Sequence, residues 1–193
     1  MHRRNQPGAT YLGKPYAFWV RHLNPSQQAA GLYSMSFVIN TNAASYDWHW
    51  KWETDTNVVP VFVAALKVRG TVLDQLYFTL WKRLPYRIQG CAPRPFDAEN
   101  VRAFAVRGIQ AMGETFGRPA IPALIGVSRN DDSPLVRSFA VNCLESLSQF
   151  RLDRDVMGAW IAAAHDQDPI VRTAAVMWLK QRCPGVAAEA GIK

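Results

Sequence analysis

The residues of this 193-residue chain with the means to do chemistry are few and scattered. His165-Asp166-Gln-Asp168 puts an imidazole and two carboxylates within four positions and could ligate a metal. A metal site needs three or more converging ligands, however, and the other histidines, His2, His22 and His49, lie far away in sequence. No metal or cofactor is expected. Cys91, Cys143 and Cys183 match no zinc or redox spacing. Cys143 lies among apolar residues, Cys183 precedes a Pro-Gly stop, and neither has an activating base nearby. There is no glycine-rich phosphate loop, nucleophile elbow or His-Glu-x-x-His. No catalytic residue is assigned and an enzyme is not expected.

Two arrangements remain that could bind rather than react. Tyr46-Asp-Trp-His-Trp-Lys-Trp-Glu53 alternates aromatic and polar residues, with three of the seven tryptophans within five positions. Arg102, Arg137 and Arg172 recur every 35 residues and could form a row facing phosphates. The charge distribution bears on both. The formal net charge is +7, but residues 1–97 hold 11 Lys/Arg against 5 Asp/Glu, and residues 98–193 hold 11 against 10. Basic and aromatic together suit a nucleic-acid surface or a surface for an acidic protein.

About half the residues are apolar, which is globular composition, and no run approaches a membrane span, so no membrane role is expected. The opening MHRRNQPGATYLGKP lacks an apolar stretch behind its basic residues, which argues against a secretory signal. With an odd number of dispersed cysteines, a cytoplasmic setting with free thiols is expected.

The second half repeats itself. Val101, Val136 and Val171 are 35 apart, as are Ala105, Ala140 and Ala175, then Ile109, Leu144 and Leu179. The shared V-R-x-x-A-V-x-x-[IL] is an apolar stripe at helical spacing. Ser133-Pro134 and Asp168-Pro169 place a capping residue before a first-turn proline, and Asp97 can cap the earlier copy. Second helices are predicted at about 119–128 and 154–165. A single helix pair cannot bury its own apolar face, so pairs must stack into a solenoid.

These features resemble HEAT repeats, in particular the short PBS-lyase HEAT-like variety. The matching residues are Ile121-Pro-Ala-Leu124, Asp131-Asp-Ser-Pro134, Val136-Arg-Ser-Phe-Ala-Val141 and Asp166-Gln-Asp-Pro-Ile-Val-Arg172. The resemblance covers about residues 97–183; Phe96 departs from it, standing where the other copies have Asp131 and Asp166. It implies a structural ladder in which Asp131 pairs with Arg137 and Asp166 with Arg172, and this outweighs the phosphate-binding reading of the arginines. Such repeats serve scaffolds, chromophore-lyase subunits, DNA glycosylases and adaptors. The glycosylase reading is disfavoured, because the repeat region is nearly neutral and holds only Trp160 and Trp178.

The first half is read from its pattern alone. Thr71 and Asp74 form a capping box, and Leu73, Leu76, Tyr77, Leu80, Trp81 and Leu84 then share one helical face up to Pro85. Residues 58–68 suit a helix, though Val58, Val59, Val61 and Val63 would also suit a strand; with the helix after Gly70 they resemble one more repeat. The proline-rich stretch 85–97 reads as a binding loop or a spacer. Two alternating runs within about 32–53 read as a β-hairpin, its Trp48, Trp50 and Trp52 face either buried against a helix or left as a platform.

The expected architecture is therefore mainly α: an N-terminal region, 1–56, containing a β-hairpin, and a HEAT-like α-solenoid of helix pairs, 57–193. The expected role is a non-catalytic protein-binding module, an adaptor, inhibitor or accessory subunit. Trp48, Trp50, Trp52, Tyr86, Arg87 and Arg94 are the candidate contacts for a protein partner, which the basic charge suggests is acidic. Nucleic acid is the alternative partner, with Lys51, Lys67, Arg69, Lys82 and Arg83 on phosphates.

Overall fold

The computed structural model describes residues 10–22, 56–89, 91–92 and 95–192. The expected hairpin at 32–53 lies outside the described residues, as do Trp48, Trp50, Lys51, Trp52 and Arg94.

The chain is mainly helical, with a small antiparallel hairpin near its start. That hairpin pairs β1 (Thr10–Tyr11) with β2 (Lys14–Pro15) through Leu12 and Gly13. Both turn residues have positive φ, 46° and 73°, as a two-residue turn matching strand twist requires. The first helix, α1 (Tyr16–His22), follows directly and packs on α2 (Val59–Ala65). Trp19 Nε1 donates to the Tyr11 carbonyl at 2.7 Å, which ties strand to helix, while Tyr11 and Val20 enter the core. The stretch read both ways in sequence is thus a helix, preceded by a 3-10 turn at Thr56–Val58, with Pro60 in its first turn where no backbone bond is lost.

Beyond it stand α3 (Val72–Arg83), α4 (Tyr86–Gln89), α5 (Ala98–Ala111), α6 (Gly113–Gly117), α7 (Ile121–Asn130), α8 (Pro134–Ser146), α9 (Arg154–Ala163), α10 (Pro169–Arg182) and α11 (Pro184–Glu189). The starts of the repeat helices follow from their caps. Asp97 Oδ1 accepts from Asn100 N at 3.0 Å, Ser133 Oγ from Val136 N at 3.4 Å, and Asp168 Oδ1 from Ile170 N at 2.8 Å. The apolar stripe is buried as its spacing predicts: Val101, Val136, Val171, Ala105, Ala140, Ala175, Ile109, Leu144 and Leu179 are all core. Each large member withdrawn from water stabilises the array by about 1.5–3 kcal/mol.

Packing shows which helices form pairs. One layer, α5, α8 and α10, stacks in order; α7 pairs with α8, and α9 with α10. The partner of α5 is α2, not a neighbour in sequence. Gly108 lets them approach closely: the Phe62 ring lies where a Cβ on residue 108 would be, 2.7 Å from two of its carbons. The reading of α2 and α3 as one repeat is therefore corrected. It is α2 that packs on α5, and α3 and α4 lie between them in the chain.

Candidate functional site

The inserted helix is built by local rules. Thr71 Oγ1 accepts from Asp74 N at 3.1 Å, and Asp74 Oδ2 accepts from Thr71 N at 2.8 Å, a complete capping box. Thr71 Oγ1 also donates to Asp74 Oδ2 at 2.7 Å, and this bond first, with the Thr71 N–H second, holds the Asp74 carboxyl below the ordinary carboxylate range. Lys82 and Arg83 sit in the last turn. Beyond Pro85, Gln89 Nε2 donates to the carbonyls of Trp81 and Leu84 at 3.2 and 2.8 Å, folding α4 back on the end of α3.

Among the described residues the apolar side of α3 is the one turned outward. No residue of α3 is buried, and it makes no extensive contact with another element among the described residues. Its more polar side, with Asp74, Gln75, Phe78 and Lys82, faces the starts of α5 and α8 across a groove of about 920 Å³. Its apolar face points away: Val72, Leu73, Leu76 and Leu80 are 72%, 75%, 55% and 60% exposed. Tyr86 and Ile88 on α4 extend that exposed surface, and Arg83 and Arg87 are exposed beside it.

The arginine ladder also differs from expectation, in its partners. Arg102 Nε and Nη2 donate to Asp131 Oδ2 and Oδ1 at 2.8 and 3.0 Å; Arg137 makes the same fork to Asp166 at 2.8 and 2.8 Å. The expected pairs Asp131–Arg137 and Asp166–Arg172 form only through backbone: Arg137 Nη1 donates to the Asp131 carbonyl, and Arg172 Nη1 to the Asp166 carbonyl, each at 2.8 Å. Arg137 thus clasps its own loop with one nitrogen and the next repeat with two. The aspartates also order their turns, accepting from Ser133 N at 3.0 Å and Asp168 N at 2.8 Å. The Arg137 guanidinium beside Asp166 holds its carboxyl below the ordinary range, against the opposing effect of burial. In the first unit the Val68 carbonyl, not that of Phe96, accepts from Arg102 Nη1 at 3.0 Å.

The remaining candidates are dispersed. Lys67 is exposed; Arg69 reaches Asp131 and Asp132 at 3.7 and 3.8 Å; Lys82 Nζ lies 4.1 Å from the Phe78 ring centroid. Arg69 and Lys82 meet in the groove, where Asp74, Asp97, Glu99 and Asp132 offset their charge. His165 Nδ1 lies 2.9 Å from the Ile161 carbonyl, while Asp166 and Asp168 are engaged as described. Burial pushes the Cys143 thiol up, away from reactivity. The residues sequence reasoning did not nominate are Val72, Leu73, Leu76 and Leu80, whose amphipathic spacing was visible but whose exposure was not. No helix among the described residues is long and apolar enough to cross a membrane.

Stacked helix pairs joined by such a ladder define an α-solenoid. The sequence model for HEAT repeats matches residues 96–180, and this segment is a HEAT-repeat array. No curated protein and no solved structure matches the chain.

Proposed function

We propose that the chain is a non-catalytic protein-interaction module that recognises its partner with the inserted helix α3. The observation that carries this reading is the outward apolar face of Val72, Leu73, Leu76 and Leu80. A monomer keeps few contiguous apolar patches, and this one lies on a helix that contributes nothing to the core among the described residues. The partner class follows from the face: an apolar groove receiving a helix by Leu73, Leu76 and Leu80 at i, i+3 and i+7, with acidic groups along its edge for Arg83 and Arg87. Tyr86 adds an aromatic contact. Free thiols fit a reducing, cytoplasmic setting. The carboxylates beside Arg69 and Lys82 disfavour a phosphate track along the groove.

The test uses Leu73→Asp combined with Leu76→Asp. Because neither side chain is buried, the variant should melt within about 2 °C of the parent. A partner recovered from the native host with the parent, insensitive to nuclease, should be lost with the variant. Retention of that partner, or recovery of nucleic acid alone with affinity falling steeply as salt rises, would refute the reading.

A further inference from the structure

Between α8 and α9 the chain turns through Gln149-Phe150-Arg151 and leaves Phe150 92% exposed. The loop that carries it is held from both sides. Leu147 and Ser148 before it are buried, and Leu152 after it packs on the core. Phe150 N donates to Glu114 Oε2 at 2.8 Å, and Arg118 Nη1 donates to the Arg151 carbonyl at 3.3 Å. From the other side Arg182 Nη2 donates to the Ser148 and Gln149 carbonyls at 3.0 and 2.7 Å. Contacts from α6 and Arg118 on one side and from α10 on the other thus bracket the loop within the array. Its backbone is fixed by its neighbours, while the Phe150 ring takes no part in the fixing.

Beside the loop lies a groove of about 690 Å³ between α7 and α9. Ile121, Pro122, Ile125 and Gly158 form its apolar lining. The Arg118–Asp153 ion pair, at 2.6 Å, belongs both to the groove wall and to the network that fixes the loop. Knob and groove are therefore neighbours on one surface. The charges of the groove nearly cancel, Arg118, Arg129 and Arg154 against Asp153 and Asp155, in a chain whose formal net charge is +7. Among the described residues Arg154 and Asp155, side by side at the start of α9, form no ion pair.

We propose that this surface pairs two copies of the chain about a two-fold axis, the Phe150 ring of each seated in the α7–α9 groove of the other. A self-complementary interface needs its knob and its hole on one patch, and the loop and the groove supply both. A backbone already immobilised gives up little freedom when its aromatic anchor docks. The mixed charge selects the occupant. Nucleic acid and anionic lipid both call for a basic field of one sign, which the carboxylates of the groove interrupt. A patch carrying both signs suits a copy of itself, with Arg154 of one chain set against Asp155 of the other. The pairing does not use α3, so it neither rests on nor alters the reading given above.

Sedimentation of the full chain over a concentration series tests the pairing. The parent should equilibrate between monomer and dimer. Phe150→Ala should melt as the parent does, yet raise the dissociation constant roughly a hundredfold, since each dimer loses two rings. Gly158→Gln tests the groove from the other side. A Cβ added at Gly158 meets nothing outside its own helix closer than Arg129 Nη2 at 3.9 Å, so the fold accepts the side chain while the groove loses its room. It should weaken pairing comparably. Gly126→Gln, at an exposed position of α7 outside the groove, should leave pairing unchanged. A parent that stays monomeric, growth beyond a dimer, or unchanged pairing in Phe150→Ala would overturn the proposal. Pairing lost in the α3 variant Leu73→Asp with Leu76→Asp, but kept in Phe150→Ala, would also overturn it and move the contact to α3. A monomeric parent that loses a host protein on Phe150→Ala would overturn the second copy and give the surface to a different protein.

Discussion

Asp131→Ala tests the ladder most sharply, because the rung it breaks is sealed from water. Arg102 is 5% exposed and Asp131 3%. The aspartate takes both arms of the Arg102 fork and the Ser133 N–H, and lies 3.7 Å from Arg69. Alanine would leave Arg102 buried with a single neutral acceptor, the Val68 carbonyl. Breaking a buried pair from one side costs about 3–5 kcal/mol, since the remaining charge cannot recover its hydration. Asp166→Ala breaks the same chemistry where the side chains are 14% and 12% exposed, so water can enter; about half that cost is expected. In a chain of this size each kcal/mol moves the melting midpoint by about 2–4 °C, so Asp131→Ala should melt about 6–20 °C below the parent. Urea unfolding read by circular dichroism measures both variants, and unchanged slopes would show that the midpoints report stability. The double replacement Arg102→Met with Asp131→Leu should regain most of the loss. A cost below about 1 kcal/mol for Asp131→Ala, or costs equal for the two aspartates, would refute the burial argument.

Three further outcomes are expected. Gly108→Ala should destabilise by about 1–3 kcal/mol by urea unfolding although alanine favours helix, because its Cβ would meet the Phe62 ring at 2.7 Å and force α2 from α5. The stability gap between the parent and Asp166→Asn should shrink as pH falls below about 4: a carboxyl depressed in the folded state stabilises above its unfolded value and ceases to as pH drops through the folded one. Under native conditions a thiol reagent should label Cys91, which is exposed, far faster than Cys143 and Cys183, which burial pushes toward the protonated form; mass spectrometry of the peptides reads this.

What the sequence made legible was whatever repeats or caps itself. Val136, Ala140 and Leu144 could be placed in the core because three copies agree on their spacing, and helix starts were legible wherever a capping side chain precedes a proline. Pairing was less legible. A periodic pattern shows that an arginine and an aspartate recur, but not whether the arginine closes on the aspartate six positions before it or 29 positions after. Only the stack decides that, by bringing the next loop within reach of the Arg137 fork while its third nitrogen stays on its own loop. The small hairpin at 10–15 was missed because strands of two residues carry no alternation to read.

The outward face of α3 has a deeper cause. Amphipathicity states that a face needs cover; it does not state which element supplies it. The face at Leu73, Leu76 and Leu80 satisfies every rule for a core-facing helix, yet its more polar side is the one turned to the groove. The insertion point explains how this arises. Links between the two helices of a unit lie along one edge of a stack, where added chain does not disturb the layers. Here α3 and α4 lengthen such a link, and Arg69, just ahead of them, leans over the first rung. That rung is closed and dry. The insertion therefore leaves the cohesion of the array intact and adds a face that the described core does not use.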